Sequence, residues 1–137
     1  MQGSVVPIEY SEAPDVKKMA DEIADCLDFF HVVSQFVFCV RSKGSSSRRT
    51  IARIHGLGKI WQGTLNLPPS YVIEVISERY DKLSQEEREK TIIHELLHVP
   101  KGFAGGFRPH KGYINHDIVE NLHRTFKKQR IREKTSF

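Results

Sequence analysis

The segment HELLHVPKGFAGGFRPH, residues 94–110, places two histidines and a glutamate on one helical turn and a third histidine after a glycine-rich bend. At 3.6 residues per turn, His94 and His98 lie about 40° apart on one face of a helix, so both imidazoles can bind the same metal ion. Glu95 is rotated by about 100° about the helix axis relative to His94. That position suits a general base acting on a water that the metal activates, rather than a third ligand.

The third ligand has to come from beyond the helix, because a catalytic zinc takes three protein ligands and keeps one position open. His110 stands ten residues after Pro100, and the glycines between them let the chain turn back sharply. We therefore favour His110 as the third ligand. Glu120, on the last helix, is the alternative that the sequence leaves open, and His116 is a lesser candidate.

The competing interpretation is a core helix that contains histidines by chance. The half-helix TIIHELLHV, residues 91–99, is apolar apart from Thr91, His94, Glu95 and His98. Two unpartnered imidazoles and a carboxylate are costly to bury in such surroundings. A shared metal ion removes that cost, so the pattern favours a metal centre.

The same residues resemble a known family. HELLHVP followed by GFAGGFRPH is similar to the SprT-like zinc metallopeptidases, and most of all to the small metallopeptidases of archaea and phages. Residues 41–62 and 71–98 resemble that family's strand region and active-site helix. The resemblance implies peptide-bond hydrolysis, with zinc on His94, His98 and His110 and with Glu95 as catalytic base. The spacing from His98 to His110 is not that of metzincins, and no glutamate motif marks a clear gluzincin.

The hydrophobic pattern predicts a single α+β domain over residues 1–137, with a flexible arm over residues 1–12 and a basic tail over residues 124–137. A helix that Ser84 caps should contain the HExxH motif, and Asn115 should cap the C-terminal helix. The other predicted elements are an N-terminal helix over residues 14–30, a helical turn over residues 59–63, and a three-stranded sheet formed by residues 36–40, 50–55 and 71–76.

The net charge of +4 is concentrated in the basic tail and around the loop SKGSSSRR, residues 42–49. Basic clusters of this kind can follow a phosphate backbone. They support an alternative function, either a nucleic-acid-associated module with a structural zinc or a different zinc hydrolase such as a nuclease. The chain shows no signal peptide and no membrane span, and Cys26 and Cys39 suggest no disulfide framework, so we expect a cytoplasmic protein.

Several residues near the motif are candidates for substrate contacts. Tyr113 and Arg108 lie close to His110 in sequence and could donate a hydrogen bond to the oxyanion. The strand TIARIH, residues 50–55, could pair with an extended protein or peptide substrate if it forms an edge of the sheet. We assign no role at the metal centre to His31, His55 or His123, although His55 ends a strand that can approach the cleft.

Overall fold

A computed structural model describes residues 7–135 of the chain, with side chains described through residue 133. Within that range the fold is α+β, as the sequence predicted. The elements in chain order are β1 (Glu9–Glu12), α1 (Pro14–Cys26), β2 (Val37–Lys43), β3 (Ala52–Gly56), α2 (Lys59–Leu65), β4 (Tyr71–Ile76), α3 (Ser77–Tyr80), α4 (Gln85–Leu97) and α5 (His116–Thr135).

The strands form one sheet in the order β1-β2-β4-β3. The central strands β2 and β4 are parallel, in a register that runs from Val37 opposite Tyr71 to Ser42 opposite Ile76. The outer strands are antiparallel to their neighbours, β1 to β2 and β3 to β4. β1 and β3 are therefore the two edges of the sheet.

The prediction of a three-stranded sheet is wrong, because residues 9–12, which we assigned to the N-terminal arm, form a fourth strand. Glu9–Glu12 pair with residues 40–43 as a fourth strand. All four side chains of β1 are exposed, so the segment lacks the alternation of apolar and polar residues by which strands are recognised. Its order comes from backbone pairing to β2. Residues 1–6 lie outside the described range.

The first helix ends earlier than the sequence predicted. α1 stops at Cys26 instead of residue 30. Asp28 adopts φ 53°, a left-handed conformation that ends a helix. Phe30, expected on the apolar stripe, is 89% exposed. Val16 and Ile23 follow the predicted spacing and are buried.

The two C-terminal helices begin at the predicted caps. The hydroxyl of Ser84 accepts a hydrogen bond from the N–H of Glu87 at 3.2 Å. The side-chain oxygen of Asn115 accepts one from the N–H of Ile118 at 2.9 Å. Both bonds satisfy donors that a helix start leaves without an intrahelical partner.

The hydrophobic core lies between the sheet and the helices α1, α4 and α5. The large side chains that are fully buried in this core come from one strand, β4, and four helices, α1, α3, α4 and α5. They include Ile23, Tyr71, Ile73, Tyr80, Ile92, Ile93, Leu96 and Phe126. The apolar half of α4 is thus enclosed on most sides. None of the helices within residues 7–135 combines the length and the hydrophobicity needed to cross a membrane.

The other face of the sheet holds a buried carboxylate. Side chains alternate along a strand, so Glu74 points away from the core that Ile73 and Val75 join. Glu74 is 2% exposed, and it accepts hydrogen bonds from Arg53 Nε at 2.9 Å and His55 Nε2 at 2.8 Å, both on β3. Burial acts to raise the pKa of Glu74, but hydrogen bonds, led by those from Arg53, lower it to about 2. The carboxylate therefore holds the edge strand β3 in place.

Replacing Glu74 with Gln should lower the free energy of unfolding at pH 7 by about 1.5–3 kcal/mol, because hydrogen bonds to a charged group are lost. Because the pKa of Glu74 is lower in the folded protein than its ordinary value of 4.5, its carboxylate contributes its full stabilisation above pH 4.5. This stabilisation is lost as the pH falls towards about 2. Urea denaturation of both proteins at pH 7 and pH 3 tests this. The difference in the free energy of unfolding between the two proteins should be smaller at pH 3 than at pH 7. An equal difference at both pH values would contradict the stabilising role of the Glu74 carboxylate.

Candidate metal centre

The end of α4 presents two imidazoles side by side. Ile92, Ile93 and Leu96 are fully buried, and they fix the rotation of the helix about its axis. His94 and His98 are half-buried on the remaining stripe, with ring centroids 5.2 Å apart. His98 follows the last helical residue, as the C-cap, and keeps a helical conformation, so the one-turn spacing of the two rings is preserved.

The segment after α4 turns back and binds to the helix end. The N–H of Arg108 donates to the carbonyl of His98 at 2.8 Å. In return, Nδ1 of His98 donates to the carbonyl of Arg108 at 2.9 Å. Because a carbonyl can only accept, this bond places the His98 proton on Nδ1 and leaves Nε2 free to bind a metal.

The returning segment brings His110 to the other two histidines. The ring centroid of His110 lies 5.1 Å from that of His94 and 4.6 Å from that of His98. One ligand nitrogen from each of the three residues can be chosen so that all lie within 4.8 Å of one another. The structure thus brings His94, His98 and His110 together.

The three nitrogens fit a small divalent cation. Nε2 of His94 and Nε2 of His110 are 3.2 Å apart. Two nitrogens bound tetrahedrally to one zinc ion at its usual bond lengths are separated by about 3.3 Å. Burial, followed by the repulsion that a positive charge on His98 or His110 would exert, lowers the pKa of His94 to about 4. His94 is therefore neutral at pH 7, as a metal ligand has to be.

Glu95 lies beside the three imidazoles and is only 6% exposed. Burial raises the pKa of its carboxyl to about 8. A bound cation would act in the opposite direction, since a positive charge favours the carboxylate. Glu95 lines two grooves.

The two grooves meet at this carboxylate. The first, of about 460 Å³, is called the β3 groove and is lined by Ala52, Arg53, Ile54, His94, Glu95, His98, Phe107 and His110. The second, of about 430 Å³, is called the α5 groove and is lined by Ala52, His94 and Glu95 together with residues 49–51, Glu87, Lys90, Thr91, Asn115, His116, Val119 and Glu120. Ala52, His94 and Glu95 line both grooves, so the two grooves adjoin at these residues.

The alternative third ligands lie elsewhere. Glu120 forms an ion pair with Lys90 at 2.9 Å, and the side chain of His116 is 82% exposed and lies 3.8 Å from Glu120. Neither belongs to the histidine cluster. The sequence left Glu120 as an alternative third ligand. Helix α5 does cross near α4, but the Glu120 carboxylate pairs with Lys90 of α4.

The two candidate oxyanion donors lie against each other. The guanidinium of Arg108 stacks over the ring of Tyr113 at 5.3 Å from its centroid. Tyr113 is 51% exposed, and it is not among the residues that line the β3 groove. The role of Tyr113 in catalysis stays a prediction.

The histidines to which we assigned no role at the metal centre are engaged in other contacts. His55 binds Glu74 on the outer face of the sheet. His123 is 3% exposed and binds the buried Glu89 at 2.8 Å. His31 stacks against Phe29 at 5.2 Å between ring centroids. The contact between His123 and Glu89 joins α5 to the helix that carries the metal centre.

Many basic side chains are paired within the molecule. In α5, Lys127 binds Glu86 at 2.5 Å, and Arg130 binds both Glu89 and Glu22. In the cluster around the serine-rich loop, Arg41 binds Asp15 and Asp81, and Arg53 binds Glu74. These ion pairs attach basic residues of both clusters to the fold. A nucleic-acid partner stays a prediction.

The sequence agrees with a known family along most of its length. Residues 8–130 match the family model described as "Putative phage metallopeptidase". The searches of curated proteins and of solved structures found no significant match. The match begins at β1, extends into α5 and includes every residue of the histidine cluster. The chain therefore belongs to the phage metallopeptidase family, and a metal-dependent peptidase is the activity that this membership suggests.

Proposed function

We propose that the protein is a zinc-dependent metalloendopeptidase of the SprT-like type, in which His94, His98 and His110 hold the metal and Glu95 is the general base. The observation that carries the proposal is the convergence of three imidazoles beside one buried carboxylate in an open groove. Three nitrogen ligands with room for a fourth position suit a catalytic zinc ion. Family membership supports peptides as the substrate class.

Zinc, when bound, supplies Lewis acidity, which polarises the substrate carbonyl and makes a water more acidic. The protein's own contribution starts with orientation. The bond from His98 Nδ1 to the carbonyl of Arg108 sets the tautomer and the direction of that imidazole. The low pKa of His94 keeps its ring neutral and available as a ligand.

Glu95 moves the proton in the proposed reaction. Its carboxylate takes a proton from water while the water oxygen bonds to the carbonyl carbon of the substrate. The carboxyl then gives that proton to the amide nitrogen as the C–N bond breaks, which regenerates the carboxylate. Burial favours the protonated form and a neighbouring cation favours the charged form. These opposing effects suit a group that accepts and returns a proton near neutral pH.

The edge strand β3 is the proposed docking site for the substrate backbone. Within the described residues, β4 is the only strand that pairs with β3, and Ala52, Arg53 and Ile54 line the β3 groove. An extended peptide that adds to this edge would lie along the groove beside Glu95, with its main chain held by strand-type hydrogen bonds.

The competing functions are a nucleic-acid module with a structural zinc and a zinc nuclease. A structural site is closed by a fourth protein ligand and needs no carboxylate beside it. The cluster among the described residues has three ligands, and Glu95 is next to them. Both features support hydrolysis, and the family supports peptides over nucleic acids.

Zinc should bind with one ion per chain and should raise the free energy of unfolding by about 2.7 kcal/mol at a free concentration 100 times its dissociation constant. Replacing His110 with Ala should weaken binding, because one of three ligands is lost. Replacing Glu120 with Gln should leave binding unchanged. Elemental analysis and thermal unfolding with and without chelator test this. Weaker binding in the Glu120 variant with normal binding in the His110 variant would reverse the assignment.

Replacing Glu95 with Gln should lower the rate of peptide hydrolysis by about 10²–10⁴-fold, because the general base is lost while the three ligands remain. Zinc content should stay at one ion per chain. Cleavage of unfolded casein, measured with and without chelator, gives the rate, and single-stranded and double-stranded DNA serve as parallel substrates.

A matched control is Glu86→Gln, which removes an exposed carboxylate from the same helix and should keep full activity. Peptide hydrolysis that survives in the Glu95 variant would refute the proposed base. Zinc-dependent cleavage of DNA without cleavage of casein would show that the enzyme is a nuclease.

A further inference from the structure

Tyr71, at the start of β4, contacts the segment that carries His110, although it stands well before the HExxH motif in the sequence. Its side chain is fully buried and lies on the helix-facing side of the sheet. The hydroxyl accepts a hydrogen bond from the N–H of Gly105 at 2.9 Å and donates one to the carbonyl of Gly106 at 2.8 Å. One side chain thus satisfies a backbone donor and a backbone acceptor on two adjacent glycines of the returning segment.

The ring of Tyr71 holds the same segment through apolar contacts. Its centroid lies 4.9 Å from that of Phe103 and 5.9 Å from that of Phe107, the latter edge to face. Phe103 is buried, and its φ of 45° is unusual for a bulky residue. The two phenylalanines stand on either side of the two glycines, so Tyr71 contacts residues 103–107 at four positions.

The end of β3 provides a second attachment for this segment. Gly56 is opposite Tyr71 in the sheet register. A Cβ atom added to Gly56 would lie 2.4 Å from the carbonyl oxygen of Gly105, far closer than atoms can approach. Gly105 itself adopts φ +104°, and a Cβ there would lie 2.4 Å from the carbonyl oxygen of Leu57. The two backbones are in direct contact, which only glycine permits at both positions.

A third attachment comes from α2. The side-chain amide of Gln62 donates to the carbonyl of Ala104 at 3.0 Å and to the carbonyl of Leu57 at 2.7 Å. The segment 104–106 is therefore bound to β4, to the end of β3 and to α2 before the chain reaches the metal centre.

The path from these attachments to His110 is short and fixed at both ends. Arg108 is bound to His98 by a reciprocal pair of hydrogen bonds. The carbonyl of His110 accepts from the N–H groups of Tyr113 and Ile114 at 3.1 and 2.9 Å. Between Gly106 and His110 the chain has only three residues, so a displacement at Gly105 and Gly106 would move the imidazole of His110.

We propose that Tyr71 is a positioning residue for the metal centre, acting through its hydroxyl on the N–H of Gly105 and the carbonyl of Gly106 and so on the imidazole of His110. The role rests on the metal centre of the proposed function. Tyr71 does not touch the metal ligands. It keeps the third imidazole next to the other two before the ion binds, so that the ion meets a preorganised set of ligands.

The test is Tyr71→Phe, which removes the hydroxyl and keeps the ring. Zinc affinity, measured by competition with a chromophoric chelator, should fall by about 10-fold, the lower end of the loss caused by removing a residue that hydrogen-bonds a metal ligand directly. The matched control is Tyr80→Phe. Tyr80 is equally buried, but its hydroxyl contacts Met19 Sδ, and its loss should leave zinc affinity unchanged. Unchanged affinity in the Tyr71 variant, or an equal fall in the control, would overturn the proposal.

A double-mutant cycle separates positioning from a general loss of stability. If Tyr71 acts through His110, then Tyr71→Phe should have almost no further effect on zinc affinity once His110→Ala is present. If Tyr71→Phe lowered zinc affinity equally with and without His110→Ala, the proposal would be overturned. Gly56→Ala offers an independent variant, which should also weaken zinc binding. Its control is Gly63→Ala, where an added Cβ meets nothing within 4 Å.

Hydrogen exchange of the metal-free protein gives a result that does not depend on zinc or on activity. Tyr71→Phe should speed amide exchange over residues 104–110 and leave α1 unchanged, and the same rates as in the unsubstituted protein would overturn the positioning role. If the unsubstituted protein failed to bind zinc, the proposed function would fail, whereas the exchange rates would still decide whether Tyr71 holds this segment.

Discussion

The burial of the second half of α4 is the constraint on which the rest of the structure depends. Ile92, Ile93 and Leu96 are enclosed between the sheet and the neighbouring helices, which fixes the orientation of His94, Glu95 and His98. Polar groups in such a position cost free energy unless they find partners. The molecule supplies a backbone carbonyl for His98 and gathers the remaining imidazoles around one point, where a cation can compensate for the rest of that cost.

The sheet and the candidate metal centre are connected through the segment that carries His110. The sheet determines where β4 and the end of β3 lie, and these two places hold Gly105 and Gly106. Among the described residues, the same sheet presents β3 as an edge strand along the groove beside Glu95. The sheet therefore organises both the proposed third ligand and the surface proposed for the substrate. This arrangement attaches the loop that carries His110 to the sheet, which favours a preorganised site.

Charged residues on the far side of α4 hold the helix against α5 and α1. Glu89 is 2% exposed and binds His123 and Arg130, and Arg130 also reaches Glu22 of α1. Burial acts to raise the pKa of Glu89, but hydrogen bonds from Arg130 and His123 overcome this effect and lower it. A buried carboxylate of this kind needs its partners in place, so it favours one arrangement of the three helices. Residues of the predicted basic tail thus take part in the packing of the fold.

The sequence by itself predicted α1, α2, α4 and α5, the central strands and the residues proposed for the site, because hydrophobic spacing, capping residues and the HExxH pattern act over a few residues along the chain. It also favoured His110 over Glu120. It did not predict the short helix α3 (Ser77–Tyr80). It could not predict β1, whose exposed side chains carry no apolar pattern and whose order comes from pairing with β2. Nor could it predict the contacts of Tyr71, Gln62 and Gly56 with the segment before His110, since each reads as an ordinary strand, helix or turn residue. Those contacts join parts of the chain about 40 residues apart, and only the packed structure decides which distant groups meet.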